Sequence, residues 1–290
     1  MGKRRCLTCQ KHAPPFDFGE RFLRDTDSLL PLARELVGHC LEEDRRATLA
    51  IIKRETQKAR KEKRTFNSVI AAIEIEGYFH GESLERWREA IMRLANETAK
   101  VNGRRLSEYV GREAPMLEAQ RYLYEHAVPF ADPIPQETME VIQEVMAQAV
   151  REGWSVDLTA KRLDELFDAW IEGGGENLDW FLERKPLWRR EMIARDQLMR
   201  SSNASTMGFY HGWGVPYKAW LATLDDRTRP AHVEAHMRYN EANAIPVEEP
   251  FILMDGSRVM FPGDPSLGAA ADQIINCRCT TIPVWERATE

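Results

Sequence analysis

The chain has little that would tie it to a membrane, a disulfide scaffold or a known nucleotide fold. It has no apolar run of about 18 or more residues, so no membrane-spanning helix is expected. Its N-terminus, MGKRRCLTCQKHAPPF, carries basic residues with no apolar stretch behind them, unlike a secretory signal. The five cysteines, Cys6, Cys9, Cys40, Cys277 and Cys279, are too few and odd in number for a stapled secreted fold, which points to a reducing cytosol. Positive charge is short as well: 40 Lys and Arg stand against 46 Asp and Glu, a formal net charge of -6. Any contact with nucleic acid must then come from a local patch. No phosphate loop, nucleophile elbow or dinucleotide fingerprint is present. There is no internal repeat and no low-complexity tract.

What remains is a folded composition, 43% hydrophobic and 30% charged, in a chain of 290 residues. That length suits one large domain or two ordinary ones. Residues 1–19 read as a flexible basic arm with Pro14-Pro15 and no period. Residues 20–130 read as a helical domain: Leu29, Leu32, Leu36 and Cys40 recur at three and four. LERWREAIMRLANETAKV (84–101) predicts a helix that stops near Asn102-Gly103. AVPFADPIPQ (127–136) reads as a linker or corner. Helices are expected over 136–152, 157–172 and about 179–207, the second of them entered at WSVD and ended by the glycines at 173–175.

After Gly212 the pattern changes to short strands. YKAWLATL (217–224) and CRCTTIPVW (277–285) predict strands, RPAHVEAHMRY (229–239) a short helix, and FILM-DG-SRVMF (251–261) a hairpin. The expected class is α+β: a mainly helical body with a small C-terminal module of short strands, one hairpin and one short helix. A second domain over 131–290 would carry helices to about 210 and the small module over 211–290.

Four groups could carry chemistry. On a strand, Cys277 and Cys279 would share a face, with Arg278 on the other. His232 and His236 lie four apart, on one face of a helix. Together they could form a Cys2His2 site for one structural zinc; the alternative is two buried thiols and two hydrogen-bonded histidines. HVEAH does not match the zinc-protease pattern HExxH, because Glu234 is turned about 200° away from the first histidine. Cys6, Cys9 and His12 make at most half a zinc site, against a plain flexible arm.

The basic run 53–64 holds Lys53, Arg54, Lys58, Arg60, Lys61, Lys63 and Arg64 against Glu55 and Glu62. It is either a solvated helix face or a patch for DNA phosphates without base specificity. In LDDRTRPAH (224–232), one reading makes Asp225, Asp226 and His232 an acid–base set. The structural alternative is that Asp226 or Thr228 caps the helix from Pro230, while Arg227 and Arg229 pair with carboxylates.

The order of these pieces resembles a known family. IARDQLMRSSNAST is followed by WLATLDDRTRPAH, then PFILMDGSRVMFPGDP, then INCRCTTIPV. D-x-R-T-R-x-x-H with a later N-C-R-C is similar to the phage Mu F-like family of minor head, or head morphogenesis, proteins, over about residues 150–285. The matched positions are Arg195, Trp220, Asp226, Arg227, Arg229, His232, Pro262, Asn276, Cys277 and Cys279. The resemblance implies a bacteriophage or prophage protein, structural rather than catalytic. It implies assembly in the bacterial host cytoplasm and a final place in the virion head interior. The implied partners are portal or capsid-scaffold proteins, with packaged double-stranded DNA as a further contact and no membrane. A metal-dependent hydrolase and a DNA-binding accessory protein are the other readings. His236 is the weakest ligand of the four, and a three-ligand site completed by an acid such as Asp226 is an alternative.

Overall fold

The computed structural model describes residues 15–126, 128–173 and 189–287. The helices are α1 (Pro15–Asp27), α2 (Leu30–Lys61), α3 (Ser68–Tyr78), α4 (Leu84–Val110), α5 (Met116–His126), α6 (Pro133–Glu152), α7 (Val156–Glu172) and α8 (Arg189–Trp213). Then follow β1 (Tyr217–Leu221), α9 (Pro230–Arg238), β2 (Ile245–Pro246), β3 (Phe251–Ile252), β4 (Arg258–Val259), α10 (Ala271–Ile274) and β5 (Thr280–Val284). The expected class, a mainly helical body with a small α+β module, is the one observed.

The chain forms two compact units. One holds residues 1–31, 92–127 and 195–290; the other holds 32–91 and 128–194. The units interleave along the chain, with boundaries inside α2, α4 and α8 and after residue 127. Of the arm expected over 1–19, residues 15–19 lie in α1 and the remainder, with Cys6, Cys9 and His12, lies outside the described residues.

In the second unit, the buried face of α2 runs through Ala33, Val37, Cys40, Asp44 and Thr48. Asp44 is fully buried and accepts hydrogen bonds from Ser83 Oγ at 2.7 Å, Tyr78 Oη at 3.0 Å and Trp87 Nε1 at 3.0 Å. Burial pushes its pKa up, and those three donors oppose the rise. Ser155 caps α7 by accepting from the Leu158 N–H, and Gly173 ends it in the left-handed region. α8 begins at Arg189; the predicted start near 179 lies outside the described residues.

In the first unit, α4 does not stop at Asn102-Gly103 but runs to Val110. Asn102 is buried on the helix and donates to the Ser202 carbonyl at 2.9 Å and Ser205 Oγ at 2.6 Å, so tertiary partners hold a residue that would otherwise favour a turn. The row Ser201, Ser202, Asn203, Ser205 and Thr206 of α8 is buried, and its small side chains allow close helix approach. A Cβ on Gly208 would stand 2.7 Å from the Ala119 Cα of α5.

The sheet has order β2-β1-β5, both pairs antiparallel, with Tyr217 opposite Val284 and Leu221 opposite Thr280. β3 and β4 form the expected hairpin, Phe251 opposite Val259. Of its two turn residues only Gly256 takes positive φ, 85°. The Gly256 N–H reaches the Leu253 carbonyl at 2.9 Å, and Asp255 instead accepts from the Ser257 N–H at 3.0 Å. Trp220, Phe251, Leu253, Val259, Ala235 and Ile274 build the small core, and Cys277 and Cys279 belong to it.

Candidate metal centre

The two cysteines do not lie on the last strand. β5 begins at Thr280, and the chain before it is turned by Asn276 in the left-handed region, φ 55°. Asparagine tolerates that conformation at small cost. The Asn276 N–H is held by Asp196 Oδ1 of α8 at 2.7 Å. The expected outcome is nonetheless reached by this other route. Both thiols face His232, whose Nδ1 lies 3.6 Å from Cys277 Sγ and 3.4 Å from Cys279 Sγ. Arg278 points away and bonds Asp225.

His232 is brought to this point by α9, which Pro230 starts at a position where no N–H is needed. The helix is not capped by Asp226 or Thr228. Its N-cap is Arg229, with no side-chain cap bond. Thr228 Oγ1 instead donates to Asp225 Oδ1 and accepts from the Asp225 N–H, both at 3.1 Å. Asp225 thus organises a turn and is held below the usual carboxylate range by the Arg278 guanidinium beside it. Asp226 is exposed on the loop before α9.

His232, Cys277 and Cys279 are each almost fully buried, 1%, 3% and 2% exposed, and their donor atoms all lie within 4.8 Å of one another. A tetrahedral zinc with ordinary Zn–S and Zn–N bonds places N and S ligands about 3.6 Å apart. The observed distances match that edge, so the three residues can hold a metal ion. Hydrogen bonds from Cys279 and His232 favour the Cys277 thiolate, and Cys279, facing that charge while buried, is pushed up. Burial alone would raise both thiols.

His236 does not join them. Its Nδ1 lies 3.0 Å from the Trp220 carbonyl, to which a ring N–H donates. The four-residue set narrows to three among the described residues, with no acid as a fourth. Trp220 packs edge-on against His232 at 5.3 Å and Phe251 at 5.2 Å, walling the cluster. Pro262 is buried and its carbonyl accepts from Asn203 Nδ2 at 2.9 Å; the same amide donates to the Cys279 carbonyl at 3.0 Å. Asn203 is the residue that motif reading passed over. A polar residue in the middle of a long helix gives no sign of which backbone it will tie.

Arg195 is exposed on α8, Arg227 is exposed, and Arg229 donates to the Ile275 carbonyl at 2.5 Å. The basic run ends α2. Arg54 pairs with Glu74, and Arg64 pairs with Glu55 and Glu62. Lys53, Lys58, Arg60, Lys61 and Lys63 are exposed and in no ion pair among the described residues.

The sequence profile of the phage Mu protein F like protein family matches residues 140–282. Over residues 140–282 the chain is similar to the phage Mu F-like family. The match runs from α6 into β5 and takes in His232, Cys277 and Cys279, so the clustered residues are part of the Mu F-like region. The family relates the chain to phage head proteins. No curated protein and no solved structure matches the chain. No helix among the described residues is long and apolar enough to cross a membrane.

Proposed function

We propose that the chain is a minor head protein of a bacteriophage or prophage, acting in head morphogenesis at or near the portal vertex and structural rather than catalytic. The family match over 140–282 carries this reading. It would be made in the host cytoplasm and end inside the virion head, with portal or capsid-scaffold proteins as partners. His232, Cys277 and Cys279 would hold one zinc, whose chemistry here is that of a structural clasp joining α9 to the segment before β5. The burial of all three favours a closed site over one open to water. A small core with short strands is the setting in which a metal adds most to folding.

Deleting the gene from its phage and tagging the protein tests the assignment. Tagged protein retained in purified virions and cross-linked to the portal, together with defective heads or non-infectious particles in the deletion, is expected. Wild-type particle yield and infectivity without the gene, and no tag in virions, would overturn it.

The five exposed cations at the end of α2 support a non-specific contact with packaged DNA. DNA retention that falls with salt and is lost on changing Lys58, Arg60, Lys61 and Lys63 to Glu is expected; retention unchanged by that substitution would remove the contact. A metal-dependent hydrolase draws on one observation, three protein ligands where structural zinc usually has four. A coordination number of four with a bound water exchangeable for substrate would favour it.

A further inference from the structure

Helix α3 carries apolar residues on two opposite faces, and the fold covers only one of them. Ala71 and Ile75, one turn apart, are fully buried. Val69 and Ile73 each stand two positions before one of these, about 200° round the helix, and are 65% and 61% exposed. A helix that is apolar on all sides is ordinarily buried on all sides. A solvated face would carry charge, yet Glu74 and Glu76 are the only charged residues of α3, and Arg54 of α2 takes Glu74 at 2.7 Å.

The exposed face is fixed before anything binds it. Asn67 caps α3, its Oδ1 accepting from the Val69 and Ile70 N–H groups at 3.0 and 3.1 Å. Buried Glu55 of α2 ties the turn between the helices, accepting from Arg64 at 2.6 Å and from the Asn67 N–H at 3.4 Å. A surface held in this way loses little freedom on binding.

Cations run along its edge. Arg54, Lys58 and Lys61 recur at four and three on α2, so they share a face. The Arg54–Glu74 pair sets that face against α3, which returns along α2 after a short turn. Lys58 and Lys61 lie between this pair and the turn, beside the half of α3 that carries Val69. Both are exposed, and the exposed acid they stand against on α3 is Glu76, so the edge is net positive.

We infer that this face of α2 and α3 docks an amphipathic helix of a partner protein, its apolar side on Val69 and Ile73 and its acidic flank on Lys58 and Lys61. Anchors at three and four are how such helices are read. DNA phosphates would account for the lysines and leave the two exposed aliphatic side chains unexplained. A bilayer surface is engaged through bulkier anchors such as Trp, Phe or Leu. The surface lies within residues 32–91 of one compact unit and needs neither the metal nor the head-protein assignment.

Fluorescence anisotropy with a labelled synthetic peptide tests this on the full chain. The probe is a helix with leucine on one face and glutamate on its flanks. The controls are the same residues in scrambled order and the same helix with lysine for glutamate. One acidic helix per chain is expected, bound more weakly as salt rises, with no saturable binding of either control. Val69→Ser/Ile73→Ser should weaken the acidic helix by about tenfold or more and leave duplex DNA retention unchanged. Lys58→Glu/Lys61→Glu should weaken it by about tenfold and admit the lysine helix instead. All four positions are exposed, so both variants should melt as wild type; a lowered melting point in the serine variant would mean that the chain covers this face itself, and would overturn the inference. No binding of the acidic helix at millimolar concentration, equal binding of the scrambled peptide, or affinity indifferent to the serine variant would also overturn it. So would self-association of the wild type that the serine variant abolishes, which is a second copy on this face, or binding to anionic vesicles alone that the same variant abolishes, which is a bilayer.

Discussion

Asn203 is where the C-terminal module is most exposed to a single change. One buried amide donates to two carbonyls from separate segments, Pro262 at 2.9 Å and Cys279 at 3.0 Å. Asn203→Ala removes both donors and leaves both acceptors in a dry interior. Each unsatisfied buried group costs about 1–3 kcal/mol. Carbonyls bear under-satisfaction better than N–H groups, which favours the lower part of that range. The expected loss is then about 2–4 kcal/mol, a factor of roughly 30 to 1,000 in the unfolding equilibrium. Asn203→Asp keeps the shape but aims a carboxylate at two carbonyl oxygens, so it should cost more than alanine. Urea titration followed by tryptophan fluorescence reads both, because Trp220 lies in the affected core. A loss below about 0.5 kcal/mol for Asn203→Ala, the range of ordinary surface changes, would refute the reasoning. So would an aspartate variant as stable as wild type.

Asp44→Ala should destabilise by about 3–5 kcal/mol, because it strands the Ser83, Tyr78 and Trp87 donors without their shared buried acceptor; urea midpoints check this. Gly208→Ala should cost about 1–3 kcal/mol through overpacking, since its Cβ would sit 2.7 Å from the Ala119 Cα, and a thermal scan unchanged from wild type would contradict it. Lys218 is fully buried, its Nζ donates to the Met260 carbonyl at 2.7 Å, and burial lowers its pKa to about 7. At this group the unfolded chain therefore binds more protons than the folded one between about pH 7 and the ordinary lysine value, so the Lys218 contribution to stability rises with pH in that window. Measured relative to Lys218→Met, that rise should be about 1–3 kcal/mol between pH 7 and 9.5, and a flat difference would contradict the burial of the ammonium.

Helix positions were legible because most of them rest on local signals: the period of α2, the Ser155 cap and the Gly173 stop of α7, and the proline that opens α9. Three features were not. α4 passes through Asn102 because its side chain finds Ser202 and Ser205, about a hundred residues away. The buried row of α8 reads as polar, and only the partners of its small side chains explain it. The cysteines meet His232 from an irregular segment rather than a strand, because Asn276 turns the chain ahead of them. Spacing placed His232 and His236 on one face of α9 but could not tell that the Trp220 carbonyl would take the second.

Metal content of the purified full chain, measured by mass spectrometry beside a Cys277→Ser/Cys279→Ser variant, tests the clasp most directly. One zinc per chain, lost in the variant together with cooperative unfolding of the C-terminal module, is the predicted result. No metal in wild-type protein prepared without chelator, or a variant that unfolds as wild type does, would contradict it.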